Sequence, residues 1–194
     1  AEANRAVVAA LAHPSPGVRL NALRVLPPVP LSTGAIAERR SLADEDCQVR
    51  LAACLAIADL PPDDRVVPRL VELLAASGED RWLQDATIAA AANNADAFLI
   101  AVVAGKESAA AEEAARVVAE HFARGGHPTA VAALIESWTR GNERLAAAVC
   151  EGLVGGWQGP PPQLDDDVQA RMLHLFDTAR PETRRHLVML GQVW

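Results

Sequence analysis

Three stretches of the chain repeat one another, and this recurrence restricts the fold more than any other feature. Ser15-Pro16-Gly17-Val18-Arg19-Leu20-Asn21-Ala22-Leu23 lines up with Asp46-Cys47-Gln48-Val49-Arg50-Leu51-Ala52-Ala53-Cys54. A looser copy follows at Asp80-Arg81-Trp82-Leu83-Gln84-Asp85-Ala86. Matching Val18, Val49 and Trp82 gives steps of 31 and 33 residues. Leu26-Pro27-Pro28 closes the first stretch and Leu60-Pro61-Pro62 the second, 34 residues later, and Asn93-Asn94 stands where a third stop belongs. A diproline lacks the N–H groups that a helix needs and clashes with the turn before it. The period is that of a helical pair, which buries its apolar face only by stacking on the next pair.

The expected elements follow from caps and spacing. Thr33 is expected to cap a helix running to Leu42, and Asp46 a second one to Leu60. Asp63 or Asp64 opens a helix through Ala75, with Val67, Leu70, Val71 and Leu74 on one face. Ser77-Gly78 ends it, and a partner runs to Ala92. Further helices are expected over 94–104, 107–123, 128–139, 142–154, 165–178 and 181–193. Gly125-Gly126, Gly141-Asn142 and Gly155-Gly156 are read as the punctuation between them. The irregular stretch 155–163 reads as a surface loop before the last pair, with a flexible linker as the alternative. Residues 1–194 are thus expected to form a single domain of five or six antiparallel pairs, an all-α, right-handed α-solenoid. Its core should include Val18, Leu23, Val49, Ala53, Leu70, Leu74, Trp82 and Ala86.

Composition agrees with helices. Of the residues, 51% are apolar but only 4% are aromatic, with no Tyr, so Ala, Leu and Val carry the core. The net charge is −7, and the 18 basic and 25 acidic side chains are spread over both halves. A nucleic-acid partner would be expected to meet a basic stripe, and none is visible. No uncharged apolar run reaches membrane-spanning length.

Chemistry-bearing residues are sparse and read as structural. Cys47 and Cys54 lie two helical turns apart, too far to bridge on an intact helix, and with Cys150 they read as small apolar side chains. His13, His121, His127, His174 and His186 form no HExxH pattern or His-Glu dipeptide. Asp165-Asp166-Asp167 suits a helix N-terminus better than a metal. No phosphate loop, nucleophile elbow or haem-attachment motif occurs. No catalytic, metal or cofactor residue is therefore predicted, and no cofactor. Arg81 and Trp194 are the candidate partner-binding residues, since Arg and Trp are enriched in binding hot spots. Leu187, Leu190 and Trp194, widened by Val188, form an apolar stripe. That stripe is expected either to dimerise weakly or to fold its last turn back on its own chain. Because the sequence begins at Ala1 without Met, it reads as a fragment of a larger protein, with a mature form as the alternative.

Asp46-x-x-Val49-Arg50-x-x-Ala53, with Ser15-x-x-Val18-Arg19-x-x-Ala22, resembles the second helix of HEAT repeats, closest to the short PBS-lyase-like kind. The resemblance implies that Asp46 caps its helix and that Arg19 and Arg50 join a ladder of polar contacts between repeats. It covers roughly residues 5–92. Asp80 to Ala86, followed by Ala95-Asp96-Ala97-Phe98-Leu99, is similar to the HEAT segment of haem-binding dehydrogenase-like proteins of planctomycetes. In those proteins the chemistry resides in other domains. The function expected is a non-catalytic bacterial scaffold that binds a protein or neighbouring domains of its own polypeptide. The alternatives are the structural segment of a haem-dependent oxidoreductase and a HEAT-like nucleic-acid-binding module. The sequence does not fix the compartment, cytoplasm or, if the haem-protein likeness holds, periplasm.

Overall fold

The computed structural model describes residues 2–125 and 130–194. Among them are twelve α-helices, short 3-10 turns and no strand. The chain forms two compact units, residues 1–94 and 95–194.

The first unit holds α1 (Glu2–Ala10), α2 (Pro16–Arg24), α3 (Pro30–Glu38), α4 (Cys47–Asp59), α5 (Val67–Ala76) and α6 (Arg81–Asn93). Here α4 packs against α2 on one side and α6 on the other, while α5 packs on α6 and on the 3-10 turn at Ser41–Ala43. The second unit holds α7 (Ala95–Val102), α8 (Ala109–Gly125), α9 (Val131–Trp138), α10 (Glu143–Gly156), α11 (Asp166–Thr178) and α12 (Pro181–Val193). It has two rows, α8–α10–α12 and α7–α9–α11.

Helix starts follow local chemistry. Asp46, Asp80, Asn142 and Asp165 each accept hydrogen bonds from backbone N–H groups of the first turn, groups that have no helical partner of their own. The triple-Asp start of α11 is therefore a cap followed by first-turn carboxylates. Thr33 is not a cap. Pro30 opens α3 instead, because its fixed φ and missing N–H suit the first helical position. Thr33 is buried inside the helix and donates to the Pro61 carbonyl at 2.7 Å. Gly155-Gly156 does not break its helix either, since both lie in α10. Gly125 is the last residue of α8, whereas Gly126, His127 and the helix start expected at 128 lie outside the described residues.

The stops between pairs are knitted by side chains. Pro61 and Pro62 supply no N–H, so the end of α4 is closed from the next helical pair. Asn93 Nδ2 donates to the carbonyls of Ile57 and Leu60, at 2.8 and 2.7 Å, while Asn94 Oδ1 accepts from Asp63 N–H at 2.9 Å. The Asn93-Asn94 pair thus closes the loop of the preceding helical pair as well as ending α6.

The core contains Leu23, Val49, Ala53, Leu70, Leu74 and Ala86 as expected. Two expected core residues are not there. Trp82 is 79% exposed and Val18 37% exposed. Val18 sits on α2, whose main neighbours are α4 and the short α1, whereas Val49 lies on α4 between two full helices.

Trp82 is a matter of register. Counted from the N-cap residues Ser15, Asp46 and Asp80, the third position in each helix is Val18, Val49 and Leu83. Leu83 is buried, so the Val49-to-Leu83 step is 34 residues, the same as between the proline stops. Trp82 corresponds to Gly17 and Gln48, both exposed.

A close helix contact lies in the second unit, between α8 and α10. A Cβ on Gly152 would come within 2.1 Å of the Arg116 carbonyl oxygen and 2.8 Å of Ala119 Cβ. One on Gly156 would meet the Glu120 oxygen at 2.3 Å and Ala123 Cβ at 3.0 Å. Glycines four apart thus face alanines four apart, and backbone rests on backbone.

Candidate interaction face

The exposed side of the first unit follows from the same register. Positions two, five and nine after each cap fall on one stripe of a helix. In α2 these are Gly17, Leu20 and Arg24, in α4 Gln48, Leu51 and Leu55, and in α6 Trp82, Asp85 and Ala89. Leu55 is 51% exposed. Between α2 and α4 lies a groove of about 450 Å³, lined by Leu20, Leu51, Leu55 and Ala56, with Arg24 and Asp59 at one end. Neither Arg24 nor Asp59 has an ion-pair partner among the described residues. Arg81 is almost fully solvated, 3.7 Å from Asp85 on the same helix. The face therefore carries apolar side chains on α2 and α4, an exposed Trp on α6, and charges of both signs in Arg24, Asp59 and Arg81.

Arg19 and Arg50 occupy the fourth position after their caps, and both turn back on the loop that leads into their own helix. Arg19 Nη1 donates to the carbonyls of His13 and Pro14, both at 2.9 Å. Arg50 Nη1 donates to those of Asp44 and Glu45, at 2.8 and 3.2 Å. Gln84, at the corresponding place in α6, reaches the Gly78 carbonyl at 2.7 Å. The same device recurs in the second unit, where Gln169 donates to Leu164 and Arg184 to Ala179. Sequence reasoning missed Gln84 and Gln169 because it sought Arg at this position, and Arg184 because no Val-Arg pair marks it, whereas the geometry needs only a long N–H donor.

Of these reach-back donors, Arg19 also makes a contact with the next repeat. Arg19 Nε and Nη2 clasp the two carboxylate oxygens of Asp44, both at 2.7 Å, with side chains only 11% and 10% exposed. Burial alone would push the Asp44 carboxyl up. The Arg19 guanidinium, the Asp46 N–H and the charge of Arg50 outweigh that and hold it below the usual carboxylate range. The same bond raises the Arg19 guanidinium above its ordinary value. In the loop before α5, Asp63 is likewise held down by Arg65, which also reaches Glu38 at 3.3 Å.

Trp194 lies in the second unit, half-buried. Its ring meets that of Trp157 edge-on, with centroids 5.4 Å apart. Trp157 is itself tied down by donating from Nε1 to the Pro160 carbonyl at 3.2 Å. The last turn thus rests on Trp157, the residue that ends α10, which is the fold-back outcome expected for the terminal stripe. The neighbouring Val188 and Met189, with Leu173 and Phe176 of α11, are exposed.

Cys47 is exposed, whereas Cys54 and Cys150 are buried and all three are free. Burial pushes the Cys54 thiol up to about 11 and the Cys150 thiol up to about 12, against a weak opposing contact from Thr87 to Cys54. Since the thiolate is the reactive form, a neutral alkylating reagent should label one cysteine quickly in the folded chain. Mass mapping should place it at Cys47, with the other two labelled only in denaturant. Rapid labelling of Cys54 or Cys150 without denaturant would contradict the packing described.

No group of three or more His, Cys, Asp or Glu residues that could hold a metal ion occurs among the described residues. No described helix is long and apolar enough to cross a membrane. No protein-family model matches the chain, and no curated protein matches it.

Proposed function

We propose that the chain is a non-catalytic scaffold of the HEAT-like kind, a right-handed solenoid of antiparallel helical pairs that holds a protein segment against the exposed stripe of α2, α4 and α6. The observation that carries this reading is Trp82, a large aromatic side chain 79% exposed in the same register row as Gln48, which lines the adjoining groove. Tryptophan offers a large rigid surface at small entropic cost, which suits it to a contact that excludes water. Leu51 and Leu55 extend the apolar area, and Arg24, Asp59 and Arg81 supply mixed charges suited to the rim of such a contact. The fitting partner is a peptide segment or helix with an apolar side, from another protein or from a neighbouring domain of the same polypeptide.

A displayed library of random peptides selected on the whole chain tests this reading. Recovered peptides should bind the Leu55→Ser/Trp82→Ser double variant at least about tenfold more weakly, the effect of losing about 1.4 kcal/mol. Both positions are exposed, so the variant should unfold at the wild-type denaturant concentration. Peptides that bind both proteins equally, or a selection that enriches none, would refute this use of the face.

A further inference from the structure

The Arg19 clasp and its counterpart one repeat later differ by a single missing group. Arg19 divides its guanidinium between two tasks: Nη1 secures its own loop, and Nε with Nη2 clasp the Asp44 carboxylate. Arg50 performs the first task in the same way through Nη1. Its Nε and Nη2 have no hydrogen-bond or ion-pair partner among the described residues. The residue that corresponds to Asp44, two before the cap, is Gly78. It brings no side chain, and its φ of +58° is one that a side-chain-bearing residue rarely adopts.

Arg50 borders a pocket of about 340 Å³ whose apolar walls include Leu42, Leu73 and Leu83. The other charges around it are already engaged. Arg69 pairs with Glu72, Asp44 is held by Arg19, and Asp80 Oδ1 accepts from Leu83 N–H at 3.1 Å as a helix cap. We propose that this pocket takes a carboxylate from outside the chain, received by Nε and Nη2 of Arg50 as Asp44 is received by Arg19. Two parallel N–H donors in a planar fork match a carboxylate in geometry and charge. The apolar walls fit a carboxylate on a short aliphatic stem, as in a small aliphatic acid or a glutamate side chain of a partner. This site is independent of the Trp82 face and shares no residue with it.

The test follows the Nε–Hε cross-peaks of Arg50 and Arg19 in the full chain by NMR, at constant ionic strength. The probes are sodium propionate and a blocked short peptide with a single glutamate. The Arg50 cross-peak should shift saturably, with a Kd of about 1 mM for the better probe, while that of Arg19, already paired, stays in place. Arg50→Lys keeps the charge and one donor to the loop but loses the fork. Followed through backbone amides, it should bind about tenfold more weakly. If Arg50→Lys fails to fold, the comparison of the two wild-type cross-peaks decides alone. Equal affinity for both probes would mark a small-acid site, and a tighter peptide would mark a protein partner. No shift at Arg50 with either probe, or a parallel shift at Arg19, would overturn the proposal.

Discussion

Gly152→Ala should lower the stability of the second unit by about 3 kcal/mol, although alanine is the better helix former. Propensity alone predicts a gain of up to about 1 kcal/mol for glycine to alanine within a helix. Against it stands a Cβ 2.1 Å from the Arg116 carbonyl oxygen, a backbone atom that moves only if α8 and α10 separate. Overpacking of this kind costs about 1–3 kcal/mol, more where backbone must yield. Gly155 provides the control. It lies in the same helix but is exposed, and its added Cβ would meet only the Glu120 side chain at 3.9 Å. Gly155→Ala should therefore be neutral or stabilising. Urea denaturation followed by tryptophan fluorescence reads this unit well, because Trp138, Trp157 and Trp194 belong to it and Trp82, in the other unit, is already exposed. Equal effects at the two glycines would remove the close contact as their explanation.

The second large effect belongs to Asp44. Asp44→Ala leaves the Arg19 guanidinium largely out of solvent with no carboxylate to receive it, and should cost about 2–3 kcal/mol. Asp44→Asn keeps the shape and removes the charge, which makes the contribution pH-dependent. The folded carboxyl is held below its ordinary value, so the unfolded chain protonates first as pH falls. The stabilisation is complete above the unfolded value of about 4 and is lost as pH drops through the lower folded value. The difference between wild type and Asp44→Asn should thus be large at neutral pH and shrink below about pH 4. A difference that stays constant down to pH 3 would show that the charge plays no part. Asp63, held down by Arg65, adds acid sensitivity of the same sign.

The helices were legible because caps and stops mark them chemically. Asp46, Asn142 and Asp165 cap where their side chains predict, and the later helices begin and end within a few residues of the expected places. The errors arose where two adjacent residues could both satisfy the pattern. Trp82-Leu83 offers two apolar candidates for one buried position, and only the N-cap bond that Leu83 N–H donates to Asp80 decides between them. Thr33 misled because a hydroxyl suits a cap as well as a bond to a distant carbonyl, and Pro30 had a stronger claim to the helix start. Gly155-Gly156 looked like a break because a close helix approach is invisible until the partner helix is known. The exposed face was hidden for the same reason as Trp82, since a one-residue slip rotates a helical position by about 100° and exchanges inside for outside.

The reach-back donors at Arg19, Arg50 and Gln84 have a consequence for how such a chain could grow. The loops before α2, α4 and α6 are each fastened by the helix they introduce, so this part of their closure travels with its own stretch of sequence. Duplication or loss of one 34-residue segment would carry these reach-back bonds along with it, whereas the bonds of Arg19 to Asp44 and of Asn93 to Ile57 and Leu60 would have to be made again with the new neighbour. A change in the number of segments, and with it in the breadth of the surface presented, therefore costs only the bonds that cross a boundary.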